Sequence, residues 1–399
     1  MEPKKQKKIL IFSLVYYPRF IGGAEIAIKE ITDRISSEEI EFDMVTLRLD
    51  SNLPKFEKIG NVNVYRVGFA NQQKNSSDSL SWYLHLNKYF MPVTALLKAL
   101  SLHKKNKYDA IWSMMATYNS FAAVLFKILK PKVPFLLSLQ EGDPIPYIKR
   151  RALPVYPLFK MIFTKADYIQ TLSQHLADWA LDMNAKCPIL VVPNAVDFEL
   201  FSKRKSHTDL EILKQQLGKK IDDIFIITTS RLVVKNAVGD IISALQYLPD
   251  NVKFLILGTG YQEMELKDQV KSLGLENRVN FLGYVPHKEM PQYLHISDIF
   301  IRPSISEGFG NSYIEAMATG IPVIATPVGG IVDFLKDGET GLFCEVNNPR
   351  SVAQKVEKLI KDKESRDFII KNAIEMVKEK YQWDLIASDM KNKVFLKII

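Results

Sequence analysis

The chain of 399 residues has little of what several classes of protein require. Its two cysteines, Cys187 and Cys344, are too few for a metal cluster and do not suggest a disulfide framework, which indicates a reducing compartment. The six histidines show no metal-ligand spacing. No apolar run reaches the ~18 to 20 residues that a membrane-spanning helix needs, and the basic start leads into a strand rather than a signal-peptide core. We therefore expect a cytoplasmic protein, or one bound peripherally to a membrane.

Positive charge is in excess only in the first half of the chain. The net charge is +8, and residues 1–200 hold 26 Lys/Arg against 19 Asp/Glu, whereas residues 201–399 hold 27 against 26. Such a bias attracts nucleic acid or anionic lipid headgroups. A surplus of this size is also common on ordinary soluble surfaces. Since no nucleic-acid-binding motif accompanies it, we expect no nucleic-acid partner.

The length and the pattern of apolar runs predict two α/β domains. A chain of 399 residues exceeds one typical core and suits two domains of roughly 150 to 200 residues. Apolar runs separated by helical segments predict βαβ units, and hence parallel sheets covered on both faces, as in Rossmann-like domains. The predicted strands are 9–15, 43–47, 62–67, 109–114, 133–139, 167–171, 189–192, 224–229, 252–257, 279–282, 299–301 and 321–325. We expect an N-terminal domain over 1–200, a C-terminal domain over 201–380, a linker at Ser202–Asp209 and a surface excursion at Gln72–Asp78.

The most informative stretch spans residues 304–326, between two predicted strands. Gly308 and Gly310 allow the backbone to come close to a ligand, and a short helix predicted at about 311–319 ends at Gly320. A glycine-bearing loop that leads into a helix N-terminus offers backbone N–H groups to an anion. Phosphate is the anion that we expect.

Two carboxylates flank this helix start. Glu307 precedes the helix and Glu315 lies on its first turns, so one ligand can touch both. Carboxylates beside a phosphate site accept hydrogen bonds from hydroxyl groups, and a nucleotide sugar has hydroxyls at both ends of its diphosphate. Alternatively, Glu307 only favours the helix dipole and Glu315 is a solvated helix residue.

Arg231 and Lys235 form a second motif, just after the first strand of the C-terminal half. A diphosphate gains negative charge as a glycosidic bond breaks, and two fixed cations there stabilise the transition state without a metal. The alternative is an ordinary pair of surface bases. In the N-terminal half, Gly22 and Gly23 open a helix after the first strand, where a phosphate or an acceptor binds in doubly wound sheets. A tight turn alone also favours glycine, and G-x-G-x-x-G is absent.

These motifs together resemble a known family. Ser-x-x-Glu-Gly-Phe-Gly at 304–310, Glu-Ala-Met-Ala-Thr-Gly-Ile-Pro at 315–322, Ser-Arg-Leu at 230–232 with Lys235, and Gly-Gly-Ala-Glu at 22–25 are similar to the signatures of retaining GT-B glycosyltransferases of family GT4. The resemblance implies two Rossmann-like domains that face each other across a cleft. It also implies a C-terminal helix that crosses back, so that about 381–399 complete the first domain.

The resemblance implies a reaction and a role for each motif. A hexose-type sugar is transferred from a nucleotide-diphosphate donor to an acceptor hydroxyl with retention, by a front-side mechanism without a metal or cofactor, in polysaccharide or lipid-linked glycan assembly. Glu307 holds donor-sugar hydroxyls, Glu315 the ribose, and Arg231 with Lys235 the diphosphate. Further donor-binding candidates are Gly22, Gly23, Tyr284, Val285, Phe309, Gly310, Asn311 and Ser312. The backbone at Tyr284 and Val285 is expected to read the base edge.

The chain departs from the family at the strand that ends in Leu139. Many GT4 enzymes place a histidine beside the reacting sugar there, whereas this chain has Gln140, which can still donate and accept hydrogen bonds. Gln140 and Glu141 are therefore candidates for contact with the acceptor or the sugar. An alternative interpretation treats Glu141 and Asp143 as a metal site like the Asp-x-Asp of GT-A transferases.

Other functions are compatible with parts of the sequence. A catalytically inactive sugar-nucleotide-binding protein of the same fold would share these motifs, whereas a phosphorylase-like enzyme would need a pyridoxal phosphate lysine for which no motif is found. The stretches 82–105 and 147–160 combine bases with aromatic and aliphatic residues, which suits contact with an anionic membrane and a lipid-linked acceptor. The alternative is that these apolar residues face the protein core.

Overall fold

The computed structural model describes residues 6–71 and 86–399, which form two compact units. The first unit contains Met1–Asn194 together with Trp383–Ile399, and the second contains Ala195–Gln382. The predicted excursion at Gln72–Asp78 lies outside the described residues. Within the described ranges, no helix has both the length and the apolar character that crossing a lipid bilayer requires.

The first unit is built on an eight-stranded sheet with the order β3-β4-β2-β1-β5-β6-β7-β8. Its strands are β1 (Lys7–Phe12), β2 (Ile40–Leu47), β3 (Phe56–Ile59), β4 (Val62–Val67), β5 (Ala110–Met114), β6 (Phe135–Leu139), β7 (Tyr168–Thr171) and β8 (Ile189–Val191). Its helices before residue 195 are α1 (Gly23–Asp33), α2 (Leu86–Asn106), α3 (Tyr118–Leu129), α4 (Ile145–Ala152), α5 (Tyr156–Thr164) and α6 (Gln174–Asp182).

The sheet of the first unit departs from the prediction at one edge. All its neighbouring strands pair in parallel except β3, which runs antiparallel to β4 and was not predicted. The connection between β3 and β4 is only Gly60–Asn61, and a connection of two residues can join only antiparallel strands.

The second unit contains a six-stranded parallel sheet with the order β11-β10-β9-β12-β13-β14. The strands are β9 (Ile224–Thr229), β10 (Val252–Leu257), β11 (Val279–Gly283), β12 (Ile299–Arg302), β13 (Val323–Ala325) and β14 (Leu342–Phe343). The helices are α7 (Phe198–Ser202), α8 (His207–Gln216), α9 (Val238–Ala244), α10 (Glu263–Ser272), α11 (Met290–His295), α12 (Asn311–Ala318), α13 (Pro349–Lys361) and α14 (Lys363–Lys380). The run predicted as a linker, Ser202–Asp209, is therefore helical at both ends and belongs to this unit.

The last residues return to the first unit, as the resemblance implies. They form α15 (Trp383–Asp389), a π-helical segment (Met390–Phe395) and α16 (Leu396–Ile398). The ring of Phe395 lies 5.8 Å from that of Phe42 and 5.1 Å from that of Trp112. These contacts make the C-terminal segment part of the first core.

The parallel strands determine where the polar candidates lie. In the first unit, Gly22 follows β1 and Glu141 follows β6. In the second unit, Arg231 follows β9 and Glu307 follows β12. Since parallel strands end at the same edge, each unit gathers its own candidates at the carboxyl edge of its sheet, where ligands bind in such folds.

Candidate active site

The loop after β12 is shaped by its packing against the start of α12. The buried ring of Tyr313 contacts the rings of Phe300 and Phe334, at centroid distances of 5.6 and 6.1 Å. Gly310 has a φ of 95°, and a Cβ at that position would lie 2.5 Å from the Tyr313 ring. Only glycine therefore fits before the helix. The helix begins at Asn311 without a side-chain hydrogen bond from its N-cap residue.

Glu307 lies in this loop and is paired with an arginine that the sequence analysis did not identify. Arg302, the last residue of β12, donates a hydrogen bond from Nη2 to Glu307 Oε2. The two side chains are only 9% and 12% exposed. The other carboxylate oxygen, Oε1, accepts a hydrogen bond from the N–H of Gly308 at 3.2 Å. The sequence did contain a signal for this pair: Arg302 directly follows the apolar strand residues 299–301, and a buried charge requires a partner.

Two glycines outside the predicted motifs hold the backbone of Glu307. The N–H of Gly330 donates to the Glu307 carbonyl oxygen at 3.2 Å. Gly329 has a φ of 55°, and a Cβ on it would lie 1.8 Å from the same oxygen. The chain therefore approaches the Glu307 backbone at a distance that excludes any side chain at position 329.

Glu315 lies on the second turn of α12 and is 8% exposed. Its Oε1 lies 2.9 Å from Nε2 of His287, a residue that the sequence analysis did not single out. The His287 ring lies beside the ring of Phe201, with 5.2 Å between centroids. The sequence contains no local signal for this pair, because its members are separated by 28 residues.

Arg231 and Lys235 follow β9, and backbone hydrogen bonds connect their segment to the Glu307 loop. The N–H of Ile305 donates to the carbonyl oxygen of Lys235 at 2.7 Å. Asn236 Nδ2 donates to the carbonyl oxygen of Arg231, also at 2.7 Å, and the Arg231 side chain is exposed. The two predicted motifs of the second unit are thus neighbours in space.

The remaining donor-binding candidates of the second unit occupy different environments. Tyr284, after β11, is 70% exposed, whereas Val285 is 7% exposed. Phe309 is a core residue, with its ring 5.2 Å from Phe334 and 5.7 Å from Tyr381. Phe309 can therefore offer a ligand only its backbone, as the resemblance implies.

In the first unit, Gly22 and Gly23 lie where α1 begins, and both are exposed. The N–H of Gly22 donates to Glu25 Oε2 at 2.8 Å, so a carboxylate of the same helix occupies this position. Burial raises the pKa of Glu25. A phosphate at Gly22 would therefore have to displace that carboxylate.

Gln140 and Glu141 follow β6. Gln140 Oε1 accepts a hydrogen bond from Asn194 Nδ2 at 3.4 Å. Glu141 is 5% exposed, and its Oε1 accepts a hydrogen bond from the N–H of Ala116. Its Oε2 is buried and has no hydrogen-bond partner among the residues that the structure describes. Burial raises the pKa of Glu141 to about 7.

The alternative metal interpretation rests on Glu141 and Asp143. Asp143 is exposed, whereas Glu141 is buried, so the two carboxylates lie in different environments. Across residues 6–71 and 86–399, no group of three or more His, Cys, Asp or Glu side chains is arranged to hold a metal ion.

Comparison with known proteins gives the family. Residues 209–376 match the family model for Glycosyl transferases group 1, and residues 21–200 match the model for Glycosyltransferase Family 4. An uncharacterized glycosyltransferase of Methanocaldococcus jannaschii is 26% identical, with 96% of this chain and 97% of that protein covered. The capsular polysaccharide biosynthesis glycosyltransferase CapM of Staphylococcus aureus is 30% identical over 51% of this chain and 54% of its own length.

Solved structures give the fold. The HepE protein of Anabaena, determined in complex with UDP-glucose, has a TM-score of 0.79 at 21% identity and covers 97% of this chain and 99% of its own. Two α/β units with largely parallel sheets, the motifs at their carboxyl edges and these matches lead to one conclusion: the chain belongs to the GT4-type glycosyltransferases and has the GT-B fold.

Proposed function

We propose that the protein transfers a hexose-type sugar from a nucleotide-diphosphate donor to an acceptor hydroxyl, with retention of the anomeric configuration and without a required metal. One observation carries this proposal: the hydrogen bond of 2.7 Å from Ile305 N to the Lys235 carbonyl oxygen. It joins the segment with two cations to the loop with Glu307, so a single ligand at this edge meets both. A sugar diphosphate has the matching chemistry, namely hydroxyl donors beside a strong anion.

Each group in the second unit then has a role in binding the donor. Arg231 and Lys235 stabilise the charge that develops on the leaving diphosphate. The first turn of α12 adds its helix N-terminus, which favours an anion. Glu307 accepts hydrogen bonds from hydroxyls of the transferred sugar, and Glu315 accepts them from the ribose. The backbone at Tyr284 contacts the edge of the base.

Retention with a front-side substitution agrees with the environment of Glu307. A hydrogen bond to a carboxylate oxygen, above all from a cationic donor, lowers the nucleophilicity of that oxygen. Glu307 has Oε2 bound by Arg302 and Oε1 bound by Gly308 N. We therefore assign Glu307 to hydroxyl binding rather than to covalent catalysis. NMR of the product fixes the anomeric configuration, and inversion relative to the donor would contradict the proposed retention.

A thermal-shift screen with UDP-glucose, GDP-mannose and ADP-glucose tests donor binding. A donor at 100 times its dissociation constant adds about 2.7 kcal/mol to the free energy of unfolding of the unit that binds it. Release of the nucleoside diphosphate, as the sugar is transferred to a hydroxyl of an added lipid-linked glycan or to water, then measures turnover. Lys235→Ala should lose both the thermal shift and turnover. Lys271 is an exposed lysine at the end of α10, and Lys271→Ala should keep both. A thermal shift without turnover of any donor would identify an inactive sugar-nucleotide-binding protein.

For the acceptor we propose a lipid-linked glycan at an anionic membrane surface, as in polysaccharide assembly. The described part of α2 presents apolar side chains to solvent at helical spacing: Leu86, Tyr89, Phe90, Val93 and Leu97 are 40 to 65% exposed. Other apolar residues of the same helix, such as Met91 and Ala95, are buried. The stretch therefore has both a core face and an exposed apolar face.

Cations lie close to this face. The rings of Tyr89 and Tyr118 form a T-shaped contact with 5.4 Å between centroids. Helix α4 ends in the basic residues Lys149, Arg150 and Arg151. Desolvation by burial lowers the pKa of Lys88, and the positive charge of Arg151 lowers it further. This electrostatic effect indicates that the end of α4 lies close to the start of α2. Apolar side chains beside a basic cluster suit an interface of acyl chains and anionic headgroups.

Co-sedimentation with vesicles of phosphatidylcholine and phosphatidylserine tests the membrane proposal. Changing Lys149, Arg150 and Arg151 to Ser should weaken binding by roughly 10²-fold, at about 1 kcal/mol for each cation. The matched control changes three exposed lysines of the second unit, Lys361, Lys363 and Lys371, to Ser and should bind like wild type. Absence of wild-type binding at low salt would favour a soluble acceptor.

A further inference from the structure

The guanidinium of Arg302 is a buried charge that none of the roles proposed above uses. Arg302 ends β12, a strand in the middle of the second sheet whose other residues are the buried Ile299, Phe300 and Ile301. Its side chain is 9% exposed. A buried guanidinium is costly unless its N–H groups are paired, so the identity of its partners indicates why the charge is present.

The four hydrogen-bond partners of the Arg302 side chain within residues 6–71 and 86–399 all lie between residues 304 and 313. Nε lies 3.1 Å from Ser304 Oγ and 3.3 Å from Tyr313 Oη, and Nη1 lies 2.7 Å from Ser312 Oγ. Nη2 is paired with Glu307 Oε2. Ser304 and Glu307 belong to the loop, whereas Ser312 and Tyr313 belong to the first turn of α12. One side chain therefore ties the loop to the helix start.

The chemistry of the guanidinium sets the polarity of two neighbouring groups. Arginine only donates hydrogen bonds, so the oxygen of Ser312 acts as an acceptor toward Arg302 and its O–H is left to donate elsewhere. Glu307 keeps lone pairs on both oxygens after its bonds to Arg302 and Gly308, and these can only accept. The site thus presents a hydroxyl that donates and a carboxylate that accepts, held in a fixed relation.

We propose that Arg302 is a positioning residue for the transferred sugar of the donor. It fixes the Glu307 carboxylate so that the carboxylate accepts hydrogen bonds from the hydroxyls of the transferred sugar. This role rests on the function proposed above. The role concerns only one part of the donor. Arg302 acts on recognition of the sugar, whereas Arg231, Lys235 and Glu315 recognise the nucleoside diphosphate.

The test compares the wild type with Arg302→Met and Arg302→Lys, using the sugar donor that turns over and its nucleoside diphosphate alone. We expect Arg302→Met to lose about 10²-fold in kcat, as for a displaced reacting group, with an affinity for UDP, GDP or ADP within threefold of wild type. Arg302→Lys keeps the charge but cannot contact four partners, so its kcat should lie between those of wild type and Arg302→Met. Retained binding of the nucleoside diphosphate also shows that the second unit of each variant is folded.

A double-mutant cycle with Glu307→Gln separates positioning from general support of the fold. If Arg302 acts through Glu307, Arg302→Met should cost less than about threefold in kcat in the Glu307→Gln background, because neighbouring residues that act together are not additive. The control is Arg278→Met. That guanidinium is bonded to the carbonyl oxygens of Leu248, Pro249 and Val252, so its loss should lower the thermal midpoint and leave kcat unchanged.

The outcomes separate the proposals. A kcat for Arg302→Met within threefold of wild type, equal losses in affinity for donor and nucleoside diphosphate, or losses that multiply with Glu307→Gln would each overturn the positioning role while the proposed function stands. If wild-type protein turned over none of the three donors, the proposed function would fail and the role of Arg302 with it.

Discussion

Replacing Glu141 with glutamine should change how the stability of the first unit depends on pH. The carboxyl of Glu141 is 5% exposed, and burial raises its pKa from 4.5 to about 7. In the native state it therefore holds its proton at pH values where an unfolded chain has lost it. The glutamine of the variant keeps a carbonyl oxygen for the N–H of Ala116 but has no proton to release.

The size of the effect follows from this difference in pKa. Between pH 4.5 and 7 the native state binds more protons than the unfolded state, so the free energy of unfolding falls as pH rises. The stability due to this group is fully present below pH 4.5 and is lost as pH rises through about 7. A difference of roughly 2.5 units corresponds to about 3 kcal/mol. Burying the glutamine amide has a free-energy cost that does not depend on pH. This cost cancels, because only the change of the unfolding free energy with pH is compared between variant and wild type.

Tryptophan fluorescence during urea unfolding is the assay, because a chain with two units is not expected to unfold in one step. Of the four tryptophans in the sequence, the three that the structure describes, Trp112, Trp179 and Trp383, lie in the first unit. Measured from pH 4.5 to 8, the stability of Glu141→Gln relative to wild type should rise by about 3 kcal/mol. Glu38→Gln, at an exposed position of the same unit, should parallel wild type. Parallel curves for Glu141→Gln and wild type would refute the raised pKa.

Further predictions concern the chemistry of the second unit. Arg231→Ala and Lys235→Ala should each lower turnover by roughly 10²- to 10³-fold, as for removal of a preorganised charge stabiliser, and near wild-type rates would contradict the diphosphate assignment. Glu307→Gln should lower kcat at saturating donor, whereas Glu315→Gln should chiefly raise the KM for the donor; losses confined to KM in both would remove the distinction. EDTA should leave turnover largely intact, and strict dependence on a divalent cation would direct attention to the carboxylates after β6.

Much of the fold follows from local patterns. The bounds predicted for β9 and β10 coincide with those in the structure, because buried parallel strands are short apolar runs that turn residues delimit. The bounds predicted for β4 also coincide, and in this strand every second residue is buried. β3 was missed because it lies at an edge with exposed and half-buried residues in alternation, so it has no apolar run. Its antiparallel pairing depends on the two-residue turn that follows it.

The candidate site was predictable where a motif is contiguous. Glu307, Gly310 and Glu315 were found because the loop and the helix that carry them are adjacent in sequence. His287 was not found, since it reaches Glu315 only after β11 and β12 are placed in one sheet. Arg302 was present in the sequence as a charge after an apolar strand, but its four partners depend on how the loop folds back on α12.

The sequence by itself determined the alternation of strands and helices, the two α/β halves and the identity of the motifs, because hydrophobic period and glycine placement are local properties. Only the tertiary structure decided which charges are paired and which groups are buried. Glu141 acquires its raised pKa from desolvation by burial, and the backbone of Glu307 is bonded by Gly330, 23 positions later. Burial and pairing are properties of the packed elements, so they exist only once the sheet edges have been assembled.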